Sequence, residues 1–148
     1  MTAESLHAAM GRRVVSKADA EQLGSVDHVV LDSRRRRIEA IVVGSGKKAQ
    51  IVEWSGIAGF GPDAVMVEGG AARAPAGEHE PRAAEGAFDL IGGRTLTDRG
   101  NELGRLDDVT FDPSTGELIE IRIGERSLPA SALLGAGSYA VVVTVDAA

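Results

Sequence analysis

The chain has 148 residues, and 16 Lys and Arg against 22 Asp and Glu give it a formal charge of −6. Apolar residues make up 43% and charged residues 26%, which supports a packed core and excludes wholesale disorder. There is no cysteine, so disulfides, thiolate nucleophiles and Cys-containing zinc sites are excluded together, and a reducing, cytoplasmic setting is expected. Aromatics are only 3%, too few for a stacking platform, and the acidic balance argues against a nucleic-acid coat without excluding a local basic patch. No apolar run approaches the roughly 20 residues that span a bilayer, so no membrane insertion is expected. The stretch Met1 to Met10 has neither the basic start nor the apolar run of a secretory signal.

In chain order, a first short element runs from Gly11 to Val15. Leu23 to Asp32 is a strand whose apolar residues Val26, Val29 and Leu31 change parity, which predicts a β-bulge or bend at Asp27-His28. Asp32 to Arg37 is a turn with a capping Asp but neither Pro nor Gly. Ile38 to Val43 is the next strand, then a glycine turn at Gly44 to Lys48, then Trp54 to Ile57 and a last strand at Val65 to Val67. Residues 69–87 are rich in Ala, Gly, Pro and Glu and read as a linker, flexible in its middle, with an ordered strap as the alternative.

After the linker the same order returns. Leu103 to Asp112 matches Leu23 to Asp32, with its own parity break at Asp107-Asp108. Leu118, Ile121, Ile123 and Gly124 match Ile38, Ile41, Val43 and Gly44. Ala130-Ser131-Ala132-Leu133 falls opposite Trp54 to Ile57, and Val141 to Val143 opposite Val65 to Val67. Gly11-Arg12 falls opposite Gly93-Arg94, or opposite Gly92 with a shifted gap. Asp112-Pro113-Ser114-Thr115-Gly116 is a hairpin turn, and Ile119, Ile121 and Ile123 alternate with polar residues as a half-buried strand. The expectation is an all-β chain of two small barrels in tandem, docked on each other: residues 1–68, a linker at 69–87, and residues 88–148.

These pieces resemble the PRC-barrel domain: a Gly-x-x-Val start, a Leu-Gly-x-Val-x-Asp-Val-x-x-Asp strand, a turn, an Ile/Val strand, a Pro-x-x-x-Leu segment and a Val-rich end. The second copy matches better, because the first lacks the turn glycine and has Glu53 where the second has Pro129. Known members include a domain of the photosynthetic reaction-centre H subunit and one of a ribosome maturation factor. The resemblance implies a non-enzymatic module that works through protein–protein contacts, and it names no partner.

Weighed residue by residue, the candidate chemistry is thin. His7, His28 and His79 lie in separate segments and form no metal-ligand spacing. Asp27 with Asp32, and Asp107 and Asp108 with Asp112, read as turn caps rather than an acid/base pair. Gly44 to Lys48 lacks phosphate-loop spacing. No catalytic, cofactor-binding or metal-binding residue is expected. The partner-binding candidates are the basic tip Arg34, Arg35, Arg36 and Arg37, with a solvated turn as the alternative, and an outward apolar strip of Ala40 and Val42, joined by Trp54 and Phe60, with plain core as the alternative if parity slips. They suggest an adaptor or scaffold for a protein partner, with a homodimer as one form of it. A ribosome- or RNA-associated factor using the Arg tip is the alternative. A small-ligand binder or enzyme with a pocket between the copies is the least favoured.

Overall fold

Short β-branched runs bounded by glycines favour strand over helix, and a computed structural model of the chain is accordingly mostly β. It describes residues 3–44, 48–76, 90–137 and 139–145. The first half contains β1 (Glu4–Ser5), α1 (Leu6–Ala9), β2 (Arg13–Ser16), β3 (Gln22–Asp32), β4 (Arg37–Val43) and β5 (Gln50–Glu53). A 3-10 turn (Trp54–Gly56), β6 (Ile57–Phe60), β7 (Val65–Val67) and β8 (Ala72–Arg73) follow. The second half contains β9 (Arg94–Thr97), β10 (Glu102–Arg105), β11 (Asp108–Phe111), β12 (Leu118–Ile123) and β13 (Arg126–Pro129). A 3-10 turn (Ala130–Ala132), β14 (Leu133–Ala136) and β15 (Val141–Val143) complete it. Among the described residues no helix is long and apolar enough to cross a membrane.

The strands form three sheets, ordered β6-β7-β2-β3-β4-β5-β8, β10-β9-β15-β14 and β1-β11-β12-β13. The bend predicted from parity takes two forms. In β3 the register shifts between Val26 and His28 while the strand continues. In the second half the same stretch breaks at Leu106-Asp107 into β10 and β11, and the Asp107 carboxylate accepts the Gly124 N–H at 2.6 Å across the break. The N–H groups of Gly11 and Gly92, both at positive φ, donate to Val26 and Leu106 at 2.7 Å each. Gly92, not Gly93, is therefore the equivalent of Gly11.

One expectation needs correction. Ile119 does not alternate inward with Ile121 and Ile123; it is 44% exposed, while Leu118 beside it is buried. The cause is a bulge: β12 pairs Leu118 with Phe111 and Glu120 with Thr110, leaving Ile119 extra. Glu39 is skipped in the same way between Ile38 and Ala40. The segment read as a linker, flexible in its middle, starts with ordered structure. Gly70 turns the chain at φ +79, and Ala72–Arg73 joins the edge of β5 as β8. The remainder of the 69–87 segment, from residue 77, lies outside the described residues.

The two halves touch at their turns. Ile38 N–H donates to Gly116 O at 2.7 Å and Leu118 N–H donates to Arg36 O at 2.8 Å, a reciprocal pair around the bridge Arg37–Glu117. β1 adds to the edge of β11, and the Asp108 carboxylate accepts the Ser5 hydroxyl and the His7 N–H, so a second-half residue caps α1. One apolar cluster draws on both halves, including Val14, Ile41, Val65 and Trp54 with Phe111, Ile121, Leu133 and Val141.

Candidate interaction surface

The Arg turn is built by its first residue. The Asp32 carboxylate accepts the backbone N–H groups of Arg34 and Arg35 at 3.1 and 3.2 Å, which closes the turn. Arg36 then takes a left-handed φ of 53°, where the second half has Gly116 at 81°. This conformation costs a non-glycine residue about 1 kcal/mol. The turn carries four arginines, and they do not form one free tip. Arg36 is half-buried and donates from Nε to Leu133 O at 3.0 Å. Arg37, also half-buried, donates to Thr115 O at 3.2 Å. Arg35 lies 3.6 Å from Asp32 and is exposed, as is Arg34. Two of the four guanidinium groups thus serve the junction, and two face solvent.

The apolar candidates separate. Ala40 and Val42 lie in a cluster separate from the main core, and they are not bare. They are 2% and 0% exposed and cluster with Val30, Ala49 and Ile51. Their counterparts Glu120 and Arg122 are exposed. Trp54 is buried, stacked on Phe60 at 5.8 Å and edge-on to Phe111 at 5.7 Å. Phe60 also meets Phe111 edge-on, and Arg12 lies over its ring at 5.3 Å while paired with Glu4 at 3.0 Å. These rings bind the halves together.

An open groove of about 330 Å³ reunites part of the set. Arg35, Arg37, Ala40 and Trp54 line it together with Glu39, Glu53 and Ser55. Sequence reasoning missed both glutamates. The signal for Glu39 was the extra residue between Ile38 and Ala40, and that for Glu53 was its place before the 3-10 turn. Glu53 pairs with Arg73 of β8 at 3.4 Å. Burial pushes the Glu39 carboxyl above its ordinary range, and the neighbouring Asp32 carboxylate adds to the shift. Asp32 moves down, chiefly because it accepts the Arg35 N–H. The groove therefore offers the Arg35 head group, the Arg37 guanidinium held at Thr115 O, and two carboxyls around a small apolar patch.

A second cleft, of about 370 Å³, lies where α1 meets the start of the second half. Leu6, Met10, Val29, Leu90 and Ile91 line it, with His7 as the one titratable side chain among the described residues. Among the described residues it assembles no converging polar groups of the kind a reactive site uses. Asp112 accepts the Ser114 hydroxyl and N–H, which hold its carboxyl below the usual range, so it caps its turn as Asp32 does. His28 pairs with Asp27 at 3.0 Å; His79 and Ser45 to Lys47 lie outside the described residues. Among the described residues no group of three or more His, Asp or Glu is placed to hold a metal.

No curated protein matches the chain. A profile of the PRC-barrel domain matches residues 1–74, which hold every element from β1 to β8 and make up half of the 148 residues. The first-half barrel, with its bulged β3, its Arg turn and the groove beside it, is thus a PRC-barrel domain, and the chain belongs to that family.

Proposed function

We propose that the chain is a non-enzymatic adaptor of two PRC-barrel copies, residues 1–68 and 88–148 joined by 69–87, that binds a protein partner through the groove beside the Arg turn. The observation that carries this is the groove's mixed lining: Arg35 and Arg37 face Glu39 and Glu53 around Ala40 and Trp54. Such a lining suits a peptide surface with charges of both signs and an apolar anchor. It suits a phosphate backbone poorly, because two carboxyls share the space. The cysteine-free composition fits a cytoplasmic setting.

The test is capture from host lysate at low salt with nuclease present, using the tagged chain, Arg35→Glu and the distant control Arg122→Glu. A partner kept by the control and lost with Arg35→Glu supports the groove. A partner indifferent to both overturns it. The RNA-associated alternative rests on Arg34 and Arg35, the two outward arginines. It predicts a salt dependence no steeper than about −1.4 in log–log slope, at about −0.7 for each single-strand phosphate contact.

A further inference from the structure

The two halves treat one sheet edge differently. In the first half β8 covers β5, with Ile51 opposite Arg73 and Val52 opposite Ala72. The chain reaches that position by a fixed route. Glu68 N–H donates to Gly56 O at 2.8 Å, Ala71 N–H donates back to Glu68 O at 3.2 Å, and Ala71 packs on Gly56. The second half repeats the start of this route, since Thr144 N–H donates to Ala132 O at 2.8 Å. There, among the described residues, β13 has no strand on its outer edge. A groove of about 220 Å³ opens beside it, lined by Leu128, Pro129, Ser131, Ala132, Thr144 and Val145. Leu128, Ser131, Ala132 and Thr144 correspond to Val52, Ser55, Gly56 and Glu68, the surroundings of Ala71 and β8.

We propose that the β13 edge and this groove accept an extended segment of a partner protein as an added antiparallel strand. The inference rests on the reading of the chain as a protein-binding module and names the chemistry of a second contact. The backbone is ready for it. Pro129 is opposite Glu120 but has no N–H to give the β12 ladder, so its backbone faces the open side. Residues two apart on a strand share that direction, so the Ser127 N–H and C=O face the open side as well. Side chains set the specificity. In the first half a Cβ on Gly56 would come within 2.9 Å of Ala71 Cβ. The second half carries that Cβ, at Ala132. The incoming residue must therefore be glycine where β8 is preceded by Ala71, followed by a small residue opposite Leu128.

The probe is the synthetic peptide Glu-Gly-Gly-Ala-Ala-Arg-Ala, the sequence of residues 68–74, and its variant with glycine at the fourth position. Binding to the full chain is followed by amide NMR shifts and hydrogen exchange. The expected result is slowed exchange at Ser127 and shifts at Leu128, Ala132 and Thr144, stronger for the glycine peptide. Ser127→Pro removes the outward N–H and should weaken binding about tenfold. Should that variant fold poorly, Ser131→Trp, at an exposed position on the groove, must give the same loss. Arg35→Glu leaves peptide binding unchanged, so failure here and failure of the Arg-turn groove are separable. Shifts confined to β5, equal binding by both peptides, or binding that appears only after removal of residues 146–148 would each overturn the proposal.

Discussion

The two sides of the turn-to-turn contact carry opposite solutions to one packing problem. On one side Gly116 faces Trp54, and a Cβ on Gly116 would lie 2.6 Å from Ile38 O and 3.1 Å from the indole ring. On the other, Arg36 stands where Gly116 stands, and it reaches Leu133 O at the end of the turn that begins with Ala130, the counterpart of Trp54. The large residue faces the position without a side chain, and the long side chain faces the side that begins with alanine. Identical copies related by a twofold would carry the same pair on both sides. Two first halves would set Arg36 against Trp54 twice, and two second halves would set Gly116 against Ala130 and leave a void. This complementary pair thus favours one half pairing with the other over either pairing with itself.

The largest effects are expected where the ring meets the glycine. Trp54→Ala removes a buried ring that touches Phe60 and Phe111, and should cost about 3–5 kcal/mol in urea unfolding. Gly116→Ala adds backbone strain at φ +81 to overpacking, and should cost about 2–4 kcal/mol. The double variant sharpens the comparison. With the ring gone, part of the Gly116→Ala cost disappears, and the part due to Ile38 O and the backbone angle stays. A coupling of about 0.5–3 kcal/mol is expected. Strict additivity would mean that Gly116 and Trp54 do not answer each other.

The strand order was legible because it rests on patterns that sequence displays directly. The parity change at Asp27-His28 marks a real register shift, and Asp32 and Asp112 cap their turns as their position suggests. The candidate site was legible only in part. Four adjacent arginines look alike in sequence, yet Arg36 and Arg37 are claimed by carbonyls on the other half, at sequence separations of 97 and 78. Nothing local announces such contacts. Ala40 and Val42 alternate with Ile41 and Val43 and are buried with Val30, Ala49 and Ile51, and alternation cannot tell whether such a face is covered. Ile119 shows the limit in small form, because one bulged residue inverts the parity that exposed it to a wrong reading.

A smaller effect isolates the backbone at the Arg turn. Arg36→Ala and Arg36→Gly both lose the bond to Leu133 O, and they differ only in tolerance of φ 53°. The glycine variant should be the more stable by about 1 kcal/mol, the reverse of the usual order within a strand. Thermal unfolding of the pair reads this difference. Equal midpoints would mean that the turn relaxes once the arginine is gone, and that contact with the second half is what holds the left-handed angle.

The smallest effect tests the electrostatics of the groove. Burial and the adjacent Asp32 carboxylate raise the Glu39 pKa, so the folded chain holds this proton to higher pH than the unfolded chain does. Stability is therefore lost as pH rises from the ordinary Glu value, about 4.3, through the raised one. Asp32 has the opposite sign: its lowered pKa contributes stability above its unfolded value, and that is lost as pH falls. Glu39→Gln cannot ionise, and its amide can donate to Asp32 at every pH. The variant should unfold at a slightly higher temperature near neutral pH, with a gain of roughly 0.5 kcal/mol or less, because Glu39 is desolvated only in part and solvent reaching the rest of the side chain screens its charge. The gain should close as pH falls toward the ordinary Glu range, where the wild-type carboxyl is protonated and makes the same contact. A gain that persists unchanged in acid would show that the glutamate's shape, rather than its charge, burdens the turn, and that the groove's charged lining is not under strain in the folded chain.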